Sequence, residues 1–269
     1  MLESNVLFYL ISSFCLNIFS SWYSSLIISS WWVSLFSLGV SGWLGTNVTP
    51  FDHSTEYNAA LLSNMKYEEG TFSFDVISDS YELGVQTPDA NSKMCANSGK
   101  GQHIHLIVGN APYAAKYVPS FEHDIADGEH YLLAFLSRSY HESIKSSGAS
   151  IAKKVTISNK NIKSSEDITS SMLFYSRPKG TYVGKDTKKV MLDYYMVNVL
   201  ESDGYSVLAE INGKPHELLS WQPYYIEGLP MGENTITLTL INKNGGIADI
   251  PNNPVSRTFT LKEELNPEG

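Results

Sequence analysis

The sequence predicts an all-β chain: two tandem β-sandwiches behind an apolar leader. Three observations carry that expectation. Short runs of apolar residues, several with period-2 alternation, recur along the chain, separated by Gly, Asn, Asp or Pro turns. Beyond residue 45 no segment sustains a 3.6-residue apolar period. Aromatic residues are plentiful, with 16 Tyr and 11 Phe, and they suit a pleated, half-buried surface.

The leader is residues 1–45. No charge falls between Glu3 and Asp52, and the apolar run exceeds the ~20 residues that cross a bilayer. It also exceeds the ~7–15-residue core of a secretory signal. The first lysine is Lys66, so no basic flank orients it. Three readings stay open: a membrane anchor, an export signal with extra residues ahead of it, or a stretch upstream of the true start. The first two imply a periplasmic, cell-envelope or membrane-anchored protein, with membrane association through the leader. The net charge of −9 argues against nucleic acid or anionic lipid and leaves a protein or small ligand as partner. The two cysteines, Cys15 and Cys95, give no disulfide framework.

After the leader, residues 46–66 read as an extended approach with a turn. The alternation T-F-S-F-D-V at 71–76 reads as a half-buried strand, and 81–101 as a long loop rich in turn formers. His103 to Val108 is a strand, with Ile104, Leu106 and Val108 on one face and His103, His105 and Ile107 on the other. His130 to Leu136 is apolar on both faces, as a central strand covered on both sides would be. The polar loop that leaves it carries Arg138, Tyr140 and His141. A strand at 152–157 closes the first domain, residues 46–158. The polar segment 159–169 reads as the linker. The second domain, residues 170–263, has strands at 172–175, 190–199, 205–211, 235–241 and 257–261. Asn212-Gly213 is its hairpin turn. Residues 264–269 are a tail.

The two domains repeat one plan. With VGNAP (108–112) laid on INGKP (211–215), Ile104, Leu106 and Val108 fall on Val207, Ala209 and Ile211. Further on, Leu132, Ala134 and Leu136 fall on Ile236, Leu238 and Leu240. Each copy has the size of an immunoglobulin-like sandwich. The second copy lacks the histidines: His103 falls on Ser206, His105 on Leu208, His130 on Asn234 and His141 near Gly245.

An H-x-H pair on a strand puts two imidazoles on one face, about 6.5–7 Å apart at Cα. Such a pair chelates Zn or Cu when a third ligand arrives from another segment. His141 is the expected third ligand and His130 the fourth. Met94 and Cys95, just ahead of the strand, would add soft donors and tilt the site towards Cu(I). The alternative leaves His103 and His105 on a half-exposed sheet face, hydrogen-bonded to Glu142 or Tyr140. A second constellation is cationic. Arg138, Arg177 and Lys179, meeting between the domains, would bind a carboxylate, phosphate or acidic glycan, or else form structural salt bridges. No nucleophile elbow, zinc-protease helix or P-loop is present, which favours a binding module over an enzyme. A purely structural envelope protein is the third reading.

The segments GQHIHLIV, GEHYLLAFLSRSYHESIK, LFYSRPKGTYVG and YYIEGLPMGENTI resemble a group of exported Bacteroidota proteins described as phosphopeptide-binding. The likeness covers most of residues 70–262. It implies a forkhead-associated-type phosphothreonine site, but the chain lacks that family's G-R strand, and Ser137 and His141 stand one residue too far apart for its S-x-x-H spacing. The first repeat also looks like small periplasmic β domains with an H-x-H-L strand and a later histidine loop. That likeness implies His103, His105 and His141 as the functional set.

Overall fold

The structure is a computed structural model and describes residues 45–264. The leader up to residue 44 and the tail from residue 265 lie outside the described residues. Among the described residues no helix is long and apolar enough to cross a membrane.

In chain order the strands are β1 (Asn47–Pro50), β2 (Leu61–Glu68), β3 (Thr71–Ile77), β4 (His103–Val108), β5 (Ala114–Lys116), β6 (Ser120–Glu122), β7 (Gly128–Ser137), β8 (Ser150–Ser158) and β9 (Asn161–Asp167). They continue as β10 (Met172–Arg177), β11 (Gly180–Val183), β12 (Lys189–Val197), β13 (Ser206–Ile211), β14 (Lys214–Leu218), β15 (Tyr224–Glu227), β16 (Gly232–Ile241) and β17 (Val255–Lys262).

These strands form two sandwiches. In the first, sheet β2-β3-β6 packs on sheet β5-β4-β7-β8-β9. Its core holds Phe72, Phe74, Ile104, Leu106, Leu132, Ala134 and Leu136. In the second, β1-β15-β12-β10 packs on β11-β17-β16-β13-β14 around Leu192, Tyr194, Ala209, Ile236 and Leu238. Alternation along each strand fixes these faces: one residue in two turns inward, and a slip by one would expose the whole set.

A third apolar layer joins the sandwiches. Ile107, Leu133 and Phe135, on the far face of β4 and β7, meet Met172 and Phe174 of β10 and Tyr195 of β12. The two-sided apolarity of β7 has this cause. Leu132, Ala134 and Leu136 enter the first core, while Leu133 and Phe135 enter the layer between the sandwiches.

The internal repeat appears in the hydrogen-bond register. Ile104, Leu106 and Val108 of β4 pair with Leu136, Ala134 and Leu132 of β7. Val207, Ala209 and Ile211 of β13 pair with Leu240, Leu238 and Ile236 of β16. Strand orders β5-β4-β7-β8 and β14-β13-β16-β17 correspond. The opposite faces differ in environment. Ser206 and Leu208 are part-exposed and Glu210 is exposed, whereas His103, His105 and Ile107 are buried. The second copy thus lacks histidines on a face that meets solvent, so their absence there says little about whether the first copy's packing needs them.

Two expectations about boundaries need correction. The polar segment 159–169 is largely strand β9, which pairs along β8 through a turn at Asn159 and Lys160, both with positive φ. Its side chains are mostly exposed, and the polarity of an edge strand resembles that of a linker. Residues 47–50, assigned to the first domain, form β1 and pair with β15 in the second sandwich.

Candidate metal centre

The backbone brings three histidines to one point by separate devices. On β4 the strand period puts His103 and His105 on the same side, facing the layer between the sandwiches. His141 comes from the turn after β7. There Arg138 N–H donates to Glu142 O, and His141 N–H donates to Arg138 O. His141 itself has φ of 71°, a left-handed conformation that few non-glycine residues adopt. The turn closes through the Ser137–Ser143 bridge. Since Ser137 pairs with His103, the imidazole of His141 arrives beside the H-x-H pair.

The ring nitrogens converge. His103 Nε2 lies 2.8 Å from His105 Nε2 and 3.0 Å from His141 Nδ1. One ligand nitrogen from each of the three falls within 4.8 Å of the others. The far nitrogen of His103 fixes its tautomer: Nδ1–H donates to Gly101 O at 2.8 Å, which leaves the Nε2 lone pair aimed at the focus. That single lone pair accepts from one neighbouring ring at a time, and the Tyr113 hydroxyl is a further partner within reach of His141 Nδ1. His105 Nδ1 is buried without a hydrogen-bond partner.

Burial holds all three imidazoles neutral. It is the first cause in each case, lowering His103 to about 4 and His105 and His141 well below the usual histidine range. The cations Arg177 and Lys179 add to the effect on each ring. Neutral imidazole is the form that binds metals. For comparison, tetrahedral zinc with Zn–N of about 2.0–2.1 Å sets its nitrogens ~3.3 Å apart. The two spacings to His103 Nε2 need to open by only a few tenths of an ångström.

Aromatic rings wall the site. Tyr113 stacks on His105 with centroids 3.7 Å apart and planes 11° apart, and its hydroxyl lies 3.3 Å from His141 Nδ1. Tyr117 lies 4.9 Å from the His103 ring, with its hydroxyl 2.7 Å from Ser98 Oγ. No sequence signal marked Tyr113, which stands between β4 and β5.

The remaining expected site residues fall elsewhere. His130 sits towards the opposite end of β7, paired with Val155, with Nε2 bonded to Ala126 O. It is no fourth ligand, because seven positions of strand separate it from Ser137. Met94 is exposed and Cys95 packs with Phe51, Ala90, Tyr140, Met191 and Tyr225; neither joins the focus. Burial also pushes the Cys95 thiol up to about 12. The expected tilt towards Cu(I) therefore goes. The half-exposed alternative fails too. His103 and His105 are fully buried, Glu142 receives the Ser54 hydroxyl, and the Tyr140 hydroxyl donates to Asp89.

The cationic set divides. Arg138 is occupied by the chain itself: Nε and Nη2 donate to Thr55 O at 2.9 and 2.6 Å, and Nη1 lies 3.4 Å from Glu142. Arg177 is buried, with Nη2 donating to the Tyr182 hydroxyl at 2.8 Å. It forms no ion pair among the described residues. Lys179 Nζ lies 4.1 Å from the Tyr113 ring centroid. Arg177 and Lys179 thus border the histidine cluster, and Arg138 serves the turn that carries His141.

No family model matches the chain, and no curated protein matches it. Among solved structures, the fibronectin(III)-like modules of Clostridium thermocellum CbhA align with 83% of this chain and 100% of theirs, at 12% identity and a TM-score of 0.28. The central fibronectin-III array of RIM-binding protein aligns with 81% of this chain and 73% of its own, at 7% identity and a TM-score of 0.26. The SGBP-B protein of the Bacteroides ovatus mixed-linkage glucan utilization locus, solved with a mixed-linkage heptasaccharide, aligns with 82% of this chain and 71% of its own, at 8% identity and a TM-score of 0.21. These likenesses concern the β-sandwich fold alone.

Proposed function

We propose that the chain is an exported, non-enzymatic binding module that holds one Zn or Cu(II) ion through His103, His105 and His141. The observation that carries this reading is the convergence of three buried, neutral ring nitrogens with centre-to-centre spacings of 2.8 and 3.0 Å. All three are borderline imidazole donors, which suit zinc and oxidised copper better than a thiolate–thioether set would. The Gly101 carbonyl supplies the outer hydrogen bond that orients a ligating histidine. The export part of the reading is supported by the apolarity of residues 1–45.

The test is the metal content of protein purified without a histidine tag and offered one metal at a time. The wild-type chain is expected to retain about one equivalent of zinc or copper after gel filtration. The His103→Ala/His105→Ala variant is expected to retain none. Equal retention by both, or retention by neither, overturns the reading.

A further inference from the structure

The charge around the three histidines is unusual for a cation site. The histidine donors are neutral, and the charged groups acting on their rings are Arg177 and Lys179. Arg177 is itself a buried guanidinium whose hydrogen-bond acceptors are the neutral Tyr182 hydroxyl and the Tyr140 carbonyl. A buried cation without an anion is costly, and a divalent ion beside it would raise that cost. Any metal held here calls for an anionic donor in its own coordination shell.

Tyr113 occupies the right place. Its oxygen is 3.3 Å from His141 Nδ1, about the separation between two donors on one metal. Its ring is fixed on one face by His105 at 3.7 Å. Lys179 Nζ, 4.1 Å from the same centroid, takes the other face, since His105 fills the first. Burial raises the Tyr113 hydroxyl to about 12, and Arg177 is the strongest charge opposing that rise. The ring is almost fully buried, so its oxygen has no competing bulk water.

From this geometry we infer that Tyr113 is the fourth ligand, making a three-histidine, one-tyrosinate centre whose negative oxygen offsets Arg177 and Lys179. This inference rests on the metal reading above. On coordination the phenol O–H bond breaks, its proton passes to the buffer, and one metal–oxygen bond forms; no electron is transferred. The donor set selects metals that accept a hard anionic oxygen together with imidazole, such as Cu(II), over Cu(I).

The experiment adds one equivalent of Cu(II) to the metal-free protein and records the visible spectrum. A tyrosinate ligand gives a phenolate-to-copper charge-transfer band that imidazole alone does not give. The wild-type complex is expected to show it. Tyr113→Phe, which keeps the stack on His105, is expected to lose the band and bind Cu(II) at least about tenfold more weakly. Tyr117→Phe, whose hydroxyl faces Ser98, is expected to keep both. If copper binds at one equivalent and the band is absent, or survives Tyr113→Phe, the tyrosinate assignment is wrong while the three-histidine reading stands. If the wild-type chain binds no copper or zinc, both are wrong.

Discussion

At the scale of single residues, the histidines make the metal-free protein sensitive to acid. Their pKa values are depressed in the folded state and lie near 6.5 in an unfolded chain. Below pH 6.5 the unfolded chain takes up protons that the folded chain refuses, so stability is full above that pH and falls as pH drops. For His103 the loss continues down to about pH 4, where the folded state protonates too. The slope approaches about 1.4 kcal/mol per pH unit for each histidine still neutral in the fold. Urea unfolding in the presence of a chelator, at pH 7.5 and pH 5, is expected to show this drop. His105→Phe is expected to reduce the slope by nearly one proton. An unchanged slope would mean that His105 protonates normally in the folded state. The histidines themselves were legible, because H-x-H on a strand and His141 in the next loop are local patterns. Tyr113 was not legible, and neither was the path that brings Arg177 and Lys179 to the cluster. They reach the site through packing between sandwiches, which leaves no periodic trace in sequence.

At the scale of elements, the strand carrying the H-x-H pair is aimed by the loop that enters it. Gly101 has φ of 82°, and a Cβ there would lie 2.5 Å from the carbonyl carbon and oxygen of Gly84. Only glycine satisfies both constraints. The carbonyl so placed receives His103 Nδ1–H, and the Tyr81 hydroxyl donates to the carbonyls of His103 and Ser137 to tie β4 to β7. Gly101→Ala is therefore expected to cost ~1–3 kcal/mol by strain and to weaken metal binding, because it shifts the carbonyl that orients His103. Thermal unfolding with and without metal checks both effects; a variant that loses stability but keeps its metal affinity would separate the loop from the site. The same scale explains which strands were readable. Long strands with a buried face, such as β4, β7, β13 and β16, carry alternating or continuous apolar runs. The short or edge strands β1, β5, β6, β9, β11 and β14 are largely polar or only three to five residues long, apart from the seven-residue β9. Their hydrogen bonds come from a neighbour supplied by the rest of the fold, so local pattern did not reveal them.

At the scale of the whole molecule, the histidine cluster depends on the seam between the two sandwiches. Asp193 of β12 has a fully buried carboxylate that receives Ser143 N–H at 3.0 Å, the Ser143 hydroxyl at 3.1 Å and Lys145 Nζ at 2.7 Å. Ser143 and Lys145 stand two and four residues after His141, so the second sandwich holds the far end of the turn that presents the third histidine. Removing one partner of such a buried pair strands the other, which costs about 3 kcal/mol. The exposed pair Lys153–Asp167 has no such role, and Lys153→Ala should change stability by less than ~0.5 kcal/mol. Asp193→Ala is expected to lower unfolding free energy by about 3 kcal/mol and also to loosen His141, raising the dissociation constant for Zn by roughly tenfold. Asp193→Asn, which keeps an acceptor for Ser143 N–H, should retain more of the affinity than of the stability. Calorimetric titration with zinc beside chemical unfolding distinguishes the two effects. Should Asp193→Ala destabilise the fold and leave zinc affinity untouched, then Arg138 and Glu142 alone position His141. The seam would then be a matter of folding only, and the first sandwich would suffice to build the centre.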